Sequence, residues 1–361
     1  MKKILMIAPT PFFSDRGCHI RVLNSYLKLK NEGNEVTLLT YPIGRNINGV
    51  NIKRVQQIPG YKKTSPGFSA YKPFLDFLLL IKSIKEMKKE RYDSIYSHLH
   101  EGAAVGIILK KFFKKDLTFD SQGSVVGELT SHGTIKKDKT LSRLLFKIEK
   151  YITKRADKII TSTEGLKNFI EANIKTNSPI EVIKDLPDTS LFNPNVEPAE
   201  LNLPKDKKIV TYFGGLQEYK GINHLIKAIP LIDREAHFLI MGYPEEQCKK
   251  LAESLGVRER ITFTGKVPYE LAPSHLKLAN IAVSPKTLES GEANFKIYNY
   301  LAMNLPVVCF DIPENRSILG EKGIYAKPKD IKDLALKINE TIKSSETFLK
   351  SNTKPEKWEN I

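Results

Sequence analysis

The sequence contains little cysteine and no long uninterrupted apolar run. Its three cysteines, Cys18, Cys248 and Cys309, cannot build a disulfide framework, which favours a reducing, cytoplasmic compartment. No group of Cys and His residues has the spacing of a zinc site. The apolar stretch Phe74–Ile84 is too short and too interrupted to span a bilayer. These absences exclude a secreted disulfide-rich domain and a zinc-stabilised one.

The chain also lacks the glycine-rich fingerprint of dinucleotide-binding proteins. Ile4–Ala8 is predicted to be a strand, Ile20–Lys30 a helix and Glu35–Thr40 a second strand, which is the typical start of a doubly wound sheet. The loop between the first strand and the helix contains only Gly17, and no G-x-G-x-x-G follows. The sequence therefore gives no support for the binding of a nicotinamide coenzyme. Residues 42–73 are expected to be irregular.

Positive charge is concentrated in the first half of the chain. Residues 1–185 contain 33 Lys and Arg against 18 Asp and Glu, whereas the remaining residues contain 24 against 23. This asymmetry suggests an anionic partner for the first half, unless it only reflects a lysine-rich composition. Nucleic acid is not expected, because no recognition motif and no aromatics interleaved with the charge are present. Peripheral contact with an anionic membrane, at its inner face, is the expected alternative.

The segment Leu141–Ala156 has helical periodicity with two interpretations. Its leucines and isoleucines face one way and its lysines and arginines another. The simpler interpretation packs the apolar residues into the core and leaves the basic face in solvent. The alternative interpretation is a surface that docks on anionic lipid.

Polar residues follow two predicted strands of the first half. The loop after Ser94–Ser97 supplies His98, His100 and Glu101, and the strand DLTFD with its following loop supplies Asp120, Gln122, Gly123 and Ser124. Ligands bind at the carboxyl ends of strands in open α/β sheets, so these residues are expected to converge on one edge.

Two stretches of the second half are predicted to bind phosphate. Strand Lys208–Phe213 is followed by GGLQEYKG and a helix, which places Gly214, Gly215 and Lys220 in a turn without P-loop spacing. The stretch Asn280–Asn315 reads as strand, polar loop, helix and strand, and its loop leads to a helix start near Phe295. Unpaired amide groups at such a helix start favour a phosphate.

The segment SPKTLESGEANFKIYNYLAMNLPVV resembles the donor site of the family-four retaining glycosyltransferases, which have the GT-B fold. The segments IEVIKDLPDTSLFNP and GGLQEYKG resemble that family's interdomain joint and its phosphate turn. At 361 residues the chain is long enough for two such domains. The resemblance implies an α/β fold of two doubly wound, Rossmann-like domains that face a cleft. Residues 1–185 would be the acceptor-side domain, residues 186–345 the nucleotide-sugar domain, and residues 346–361 a short start of a crossover helix.

The resemblance also implies the roles of particular residues, with two departures from the family pattern. Gly215 stands where an Arg is usual, and Asn299 stands where a ribose-binding Glu is usual, with Glu289 or Glu292 nearby. The catalytic candidates are Asp120, Gln122 and Lys220. The acceptor-side candidates are Arg16, His100, Glu101, Gly123 and Ser124. The donor-binding candidates are Gly17, Gly214, Gly215, Lys220, Val267, Glu292, Asn294, Phe295, Lys296 and Asn299.

The function implied is transfer of a sugar from a nucleotide-diphosphate sugar to a lipid-linked or cell-surface glycan acceptor, with retention of configuration. No cofactor and no metal are expected, because helix N-termini and lysine offset the charge of the leaving diphosphate. Gly215, Asn299 and the short C-terminal segment leave an alternative open. In it, the chain is a catalytically weak or inactive partner subunit that binds a nucleotide-sugar or a lipid.

Overall fold

A computed structural model describes residues 1–64, 69–127, 140–287 and 294–351, the last without the side chains of residues 345–351. The described residues form two compact units, residues 1–185 and residues 186 onward, which we call unit 1 and unit 2. Each unit contains one fully parallel sheet with helices packed against it. The predicted α/β class with two doubly wound domains is confirmed.

Unit 1 contains a seven-stranded parallel sheet in the order β3-β2-β1-β4-β5-β6-β7. Its strands are Val-, Ile- and Leu-rich and mostly buried, as expected for a parallel sheet with helices on its faces. The segment predicted to be irregular contains strand β3, because Ile52–Arg54 extends the sheet beside β2. The strands are β1 (Lys3–Ala8), β2 (Glu35–Thr40), β3 (Ile52–Arg54), β4 (Ser94–His98), β5 (Asp116–Ser121), β6 (Lys158–Thr161) and β7 (Ile180–Val182).

Helices connect most of the strands of unit 1. They are α1 (Gly17–Asn31), α2 (Lys72–Lys89), α3 (Leu99–Phe113), α4 (Thr140–Thr153) and α5 (Glu164–Asn173). The strand order reverses between β1 and β4. Helices α2, α3 and α4 follow β3, β4 and β5, and right-handed crossovers place them on one face of the sheet. Contacts between α2 and α3 and between α3 and α4 are consistent with this layer.

Unit 2 contains a six-stranded parallel sheet in the order β10-β9-β8-β11-β12-β13. Its strands are β8 (Lys208–Phe213), β9 (Ala236–Met241), β10 (Ile261–Phe263), β11 (Ile281–Ser284), β12 (Val307–Phe310) and β13 (Ile324–Ala326). The strand order reverses between β8 and β11, which pair directly through Ile281 and Val210. The helices are α6 (Ile222–Ala228), α7 (Glu246–Ser254), α8 (Ala272–Leu276), α9 (Phe295–Ala302), α10 (Pro313–Leu319) and α11 (Ile331–Ser351).

Helix α4 buries only part of the apolar face that periodicity suggests. Ile152 is buried in the core, but Leu141, Leu144 and Ile148 are exposed, so the simpler interpretation is wrong for most of this helix. The buried face instead contains Glu149, whose carboxylate accepts a hydrogen bond from the Ser124 hydroxyl at 3.0 Å. Backbone amides of residues 125 and 126 also bond Glu149. These bonds hold Glu149 on the inward side of the helix, because a buried carboxylate needs hydrogen-bond partners.

The described residues contain no helix that is both long enough and apolar enough to cross a membrane.

Candidate functional site

The carboxyl ends of β8 and β11 form the point in unit 2 where the strand order reverses. Open α/β sheets bind ligands at such a point, because the loops on either side diverge and leave a crevice. The loop after β8 contains Gly214, Gly215 and a 3-10 turn, Glu218–Lys220. The loop after β11 begins with Pro285 and Lys286. Both predicted phosphate-binding stretches therefore lie at the same edge of one sheet.

Gly221 allows these two loops to contact each other through their backbones. It has a φ of 83°, and a Cβ at this position would lie 1.8 Å from the Pro285 carbonyl oxygen. Only glycine fits, because any side chain would overlap this oxygen. Lys220 and Lys286 are the chain neighbours of these two residues, so the contact brings both lysines to the same place.

Lys296, in the first turn of α9, is the third cation here. Its ammonium nitrogen lies 3.8 Å from the centre of the Tyr212 ring, and a Cβ on Gly214 would lie 3.2 Å from that nitrogen. Burial holds the pKa of Lys296 well below its usual range, and the charges of Lys220 and Lys286 lower it further. Among the described residues, no carboxylate forms a salt bridge with Lys220 or Lys296. The three lysines, which we call the lysine cluster, form a site suited to an anion with more than one charge.

Gly215 occupies the position of the missing Arg without adding a polar side chain. Its carbonyl oxygen accepts a hydrogen bond of 2.7 Å from the Tyr212 hydroxyl. Tyr212 thereby fixes the turn and also stacks under Lys296. Lys286, which is 3% exposed, is the additional cation beside this turn.

The other donor-side candidates of unit 2 lie around α9, and some support its position. The Asn294 amide donates hydrogen bonds to Ser284 Oγ at 2.7 Å and to Asn315 Oδ1 at 2.9 Å, so it anchors the helix start. Phe295 is half-buried, with its ring 6.5 Å from that of Tyr269. Val267 is buried. Glu292 lies outside the described residues.

Asn299 is fully buried in the middle of α9. Neither its amide nitrogen nor its amide oxygen has a hydrogen-bond partner among the described residues. An unsatisfied buried amide costs free energy, so a retained one calls for an explanation. One explanation is a ligand that supplies the missing partners.

Asp120 of unit 1 is fully buried in an ion-pair network. Its Oδ1 lies 2.7 Å from Arg21 Nε, and the same guanidinium contacts Asp185 Oδ1 at 2.5 Å. Tyr96 donates a hydrogen bond of 3.2 Å to Asp120 Oδ2. His98 Nδ1 lies 3.4 Å from that oxygen. The structure thus gives this carboxylate a role in holding β5, α1 and the end of unit 1 together.

Two histidines lie at the carboxyl edge of β4, as the sequence predicts. The Gln122 side chain contacts His98 Nδ1 at 3.2 Å, and His100 Nε2 lies 3.9 Å from Glu149 Oε1. Burial lowers the pKa of His98 and that of His100 to about 4. Both imidazoles are therefore neutral at physiological pH, and both leave Nε2 without a hydrogen-bond partner among the described residues.

The remaining candidates of unit 1 are spread around the same edge. Glu101 forms an ion pair with Lys72. Burial opposes the charged form of Glu101, but Lys72 outweighs it and the pKa of the carboxyl lies below its usual value. Arg16 precedes α1 and donates to the Thr64 carbonyl at 3.3 Å, and Gly17 begins that helix. Gly123, half-buried, precedes Ser124 in the loop after β5.

Sequence reasoning missed Lys286 and Arg21. Lys286 is the second residue after the apolar strand β11, and a lysine close to a strand end was the available signal. Arg21 lies between two apolar residues of α1 and had no signal, because its two partners are 99 and 164 residues away. No group of three or more His, Cys, Asp or Glu residues within the described ranges has the geometry to hold a metal ion.

Two doubly wound units, the second with a cationic turn at the point where its strand order reverses, define the GT-B class of glycosyltransferases. The sequence profile described as Glycosyltransferase Family 4 matches residues 17–190, and that described as Glycosyl transferases group 1 matches residues 207–344. The chain belongs to this family-four-like group of GT-B glycosyltransferases, as the resemblance implies.

Similar proteins agree with this assignment. An uncharacterised glycosyltransferase of Methanocaldococcus jannaschii is 24% identical over 92% of this chain and 88% of its own length. Sucrose-phosphate synthase from Thermosynechococcus elongatus has the same fold, with a TM-score of 0.80, 19% identity and coverage of 96% and 91% of the two chains. HepE of Anabaena, solved in complex with UDP-glucose, gives a TM-score of 0.72 at 15% identity and covers 96% and 92%.

Proposed function

We propose that the protein transfers a sugar from a nucleotide-diphosphate sugar to a lipid-linked or cell-surface glycan acceptor, with retention of configuration. The observation that carries the donor assignment is the lysine cluster of unit 2. Three ammonium groups at a sheet edge fit a diphosphate, which holds several negative charges close together. The UDP-glucose complex of HepE supports the same donor class for this chain.

We propose that the reaction needs no metal and no cofactor. As the sugar leaves, negative charge grows on the departing diphosphate, and Lys220, Lys286 and Lys296 lie where they would stabilise it. The first turn of α9 would add backbone amide groups, since the first amides of a helix have no partner within it.

Unit 1 would bind the acceptor at the carboxyl edge of β4 and β5. His100 and Glu101 lie in the first turn of α3, and Gln122, Gly123 and Ser124 lie in the loop after β5. Arg16 ends the loop after β1, and Gly17 begins α1. Asp120 and Gln122 would act by positioning His98, because Asp120 itself is inaccessible. The protein would work in the cytoplasm, in peripheral contact with the inner face of an anionic membrane.

The proposal is tested by incubating the purified protein with a panel of nucleotide-sugars and measuring thermal stabilisation, donor hydrolysis and transfer. We expect one donor to stabilise the protein and to be consumed. NMR of the product gives the anomeric configuration, and an inverted product would refute retention. A donor that binds but is neither hydrolysed nor transferred to any acceptor would instead support the alternative, in which the protein is a partner subunit. The presence of Gly215, where the family usually has Arg, favours this alternative.

Donor binding should be coupled to the uptake of a proton by Lys296. The pKa of Lys296 is depressed in the free fold by burial and by Lys220 and Lys286, and a bound diphosphate favours the charged ammonium and raises it again. The affinity for the donor should fall as the pH rises above the depressed pKa of Lys296. Titration calorimetry with UDP in two buffers of different ionisation enthalpy measures this uptake.

The matched control for proton uptake is Lys296→Arg, which keeps the positive charge but cannot titrate in this range. It should bind UDP with less uptake, and equal uptake in both proteins would refute the role of Lys296. The free protein offers a second readout. Between the depressed pKa and the ordinary value of 10.5, the unfolded chain binds more protons than the fold. The free energy of unfolding should therefore rise with pH in that window.

Replacing Asn299 by leucine should stabilise the free protein and weaken donor binding. Its amide is buried without a partner, so an apolar side chain of similar size removes a desolvation cost of about 1–3 kcal/mol. If the donor ribose bonds this amide, the side chain must become accessible in the bound state, and the leucine variant loses that bond. Urea denaturation and UDP-sugar titration measure the two effects.

Asn315→Leu is the matched control for Asn299→Leu. Asn315 is equally buried, but its amide donates to the Phe310 carbonyl at 2.8 Å and accepts from Asn294. Its replacement should lower the free energy of unfolding, because partners are left unsatisfied. Unchanged donor affinity in Asn299→Leu would contradict the ribose assignment.

A further inference from the structure

Unit 1 presents an exposed apolar surface on the layer formed by α2, α3 and α4. We call it the helical face, and its members have exposed fractions from 42% to 71%. Eight of the fifteen large apolar side chains that are exposed among the described residues belong to it, including every exposed Phe and Tyr. Isolated exposed apolar residues are ordinary, but such a concentration marks an interaction site. The members are Tyr71, Phe74, Phe77, Phe112, Leu141, Leu144, Ile148 and Tyr151.

Helix α4 shows that this exposure is built into the fold. Leu141, Leu144, Ile148 and Tyr151 are spaced by three, four and three residues, so they form one stripe along the helix. The opposite side of the helix is fixed by Glu149 and its hydrogen bonds. If the helix rotated to bury the stripe, the hydrogen bonds of Glu149 would break and the residues now packed against the sheet would be exposed. Its length is about 15 Å, since a helix rises about 1.5 Å per residue.

The charge around the stripe is positive. Arg143, Lys147 and Lys154 are exposed on or just after α4, and Lys111 is exposed beside Phe112 on α3. Lys85, Lys88 and Lys89 extend the positive charge along α2. An apolar stripe with cations on its flanks matches the boundary between the headgroups and acyl chains of an anionic bilayer.

The carboxylates of the same helices do not offset this charge on the outer surface. Glu149 is buried, and Glu86 is buried and bonded to Lys53. Glu101 forms an ion pair with Lys72, and Asp76 accepts a hydrogen bond from the Tyr41 hydroxyl. The surface seen by a partner is therefore apolar and cationic.

We infer that the helical face is a docking surface for an anionic phospholipid bilayer, into which the α4 stripe and the aromatics of α2 insert. The aromatic residues suit this role, because Phe and Tyr rings reside at the headgroup level of membranes. Helices that connect parallel strands begin at the carboxyl edge of the sheet, so Tyr71, Phe74 and Leu141 lie at the end nearest the acceptor-side loops. Docking in this way presents that edge to a lipid-linked acceptor. The inference rests on the membrane contact of the proposed function and is independent of the donor chemistry.

Vesicle flotation tests the inference with the whole 361-residue chain. We expect binding to phosphatidylcholine vesicles that contain phosphatidylglycerol and little binding to phosphatidylcholine alone. The double variant Leu144→Ser with Ile148→Ser should reduce binding at least about tenfold through lost insertion. The double variant Arg143→Glu with Lys147→Glu should reduce it by a similar factor through lost attraction. All four side chains are exposed, so the fold should be retained.

Matched controls come from unit 2. Leu231 and Leu336 are as exposed as the α4 residues, and Lys227 and Lys250 are exposed cations. Paired Leu→Ser or Lys→Glu changes at these positions should leave vesicle binding unchanged. UDP-sugar affinity in solution should be unchanged in every variant, which separates failure of docking from failure of the donor site.

Three results would overturn the inference. The first is an absence of binding to anionic vesicles, or binding that the α4 variants do not reduce. The second is binding of duplex or single-stranded nucleic acid at the same ionic strength without binding of vesicles. The third is a dimer in solution that Leu144→Ser with Ile148→Ser dissociates, since a second copy would then cover this face.

Discussion

Lys220→Ala should weaken the binding of a nucleoside diphosphate about 10- to 100-fold, because a hydrogen bond to a charged group contributes about 1.5–3 kcal/mol. Lys220 lies in the turn after β8, and its charge acts on Lys296 across the same crevice. The loss should appear with UDP alone as well as with a UDP-sugar, since the diphosphate is common to both. Titration calorimetry or fluorescence polarisation measures the affinity.

The same variant should not destabilise the free protein. Lys220 is a positive charge close to Lys296. Without it, the pKa of the Lys296 ammonium should rise toward its usual range. Lys227→Ala, on the exposed side of α6, is the matched control and should change neither affinity nor stability. If Lys220→Ala bound UDP as tightly as the unaltered protein, the lysine cluster would not be the diphosphate site.

Asp120→Ala should lower the free energy of unfolding by about 3–5 kcal/mol, the usual effect of removing one partner of a buried ion pair. Asp120 and Arg21 are both buried, and removing the carboxylate leaves the guanidinium with one carboxylate partner, Asp185, among the described residues. The hydrogen bonds from Tyr96 and Ser25 are lost with it. Urea denaturation followed by circular dichroism measures the effect.

Asp311→Ala is the matched control for Asp120→Ala. Asp311 also forms an ion pair with an arginine, Arg316, but both side chains are exposed. Stability should barely change, because solvent screens such pairs. If Asp120→Ala retained full stability and lost only sugar transfer, Asp120 would act directly on the substrate, and the positioning role proposed here would be refuted.

The order of apolar and polar residues was enough to predict most of the fold. The runs Ile4–Ala8, Lys208–Phe213 and Val307–Phe310 are strands, as predicted, because continuous apolar stretches bounded by turns suit a sheet covered on both faces. Strand β3 was missed because Ile52–Arg54 is three residues long. This segment is a strand because it pairs with β2, and a short sequence segment does not reveal its pairing partner.

Site residues could be predicted where their position depends on the neighbouring residues in the sequence. Lys220 and Lys296 were found because glycine turns and helix starts carry local signals in the sequence. Lys286 was not found, although it completes the lysine cluster, because its proximity to Lys220 depends on the packing of Gly221 against Pro285. Asp120 was singled out as a catalytic candidate, but its ion pairing could not be predicted, since Arg21 and Asp185 meet only in the folded chain.

The sequence by itself determined the α/β class and the turns that carry Lys220 and Lys296, because periodicity and turn chemistry are local properties. Its resemblance to a known family implied the two-domain organisation. Only the tertiary structure decided which groups meet. It placed Asp120 against Arg21, and left Asn299 without a partner among the described residues. It also turned Glu149 inward, so that Leu144 and Ile148 face solvent. Burial and long-range pairing depend on residues that are far apart in the chain. They determine how much free energy it costs to bury a polar group or to expose an apolar one.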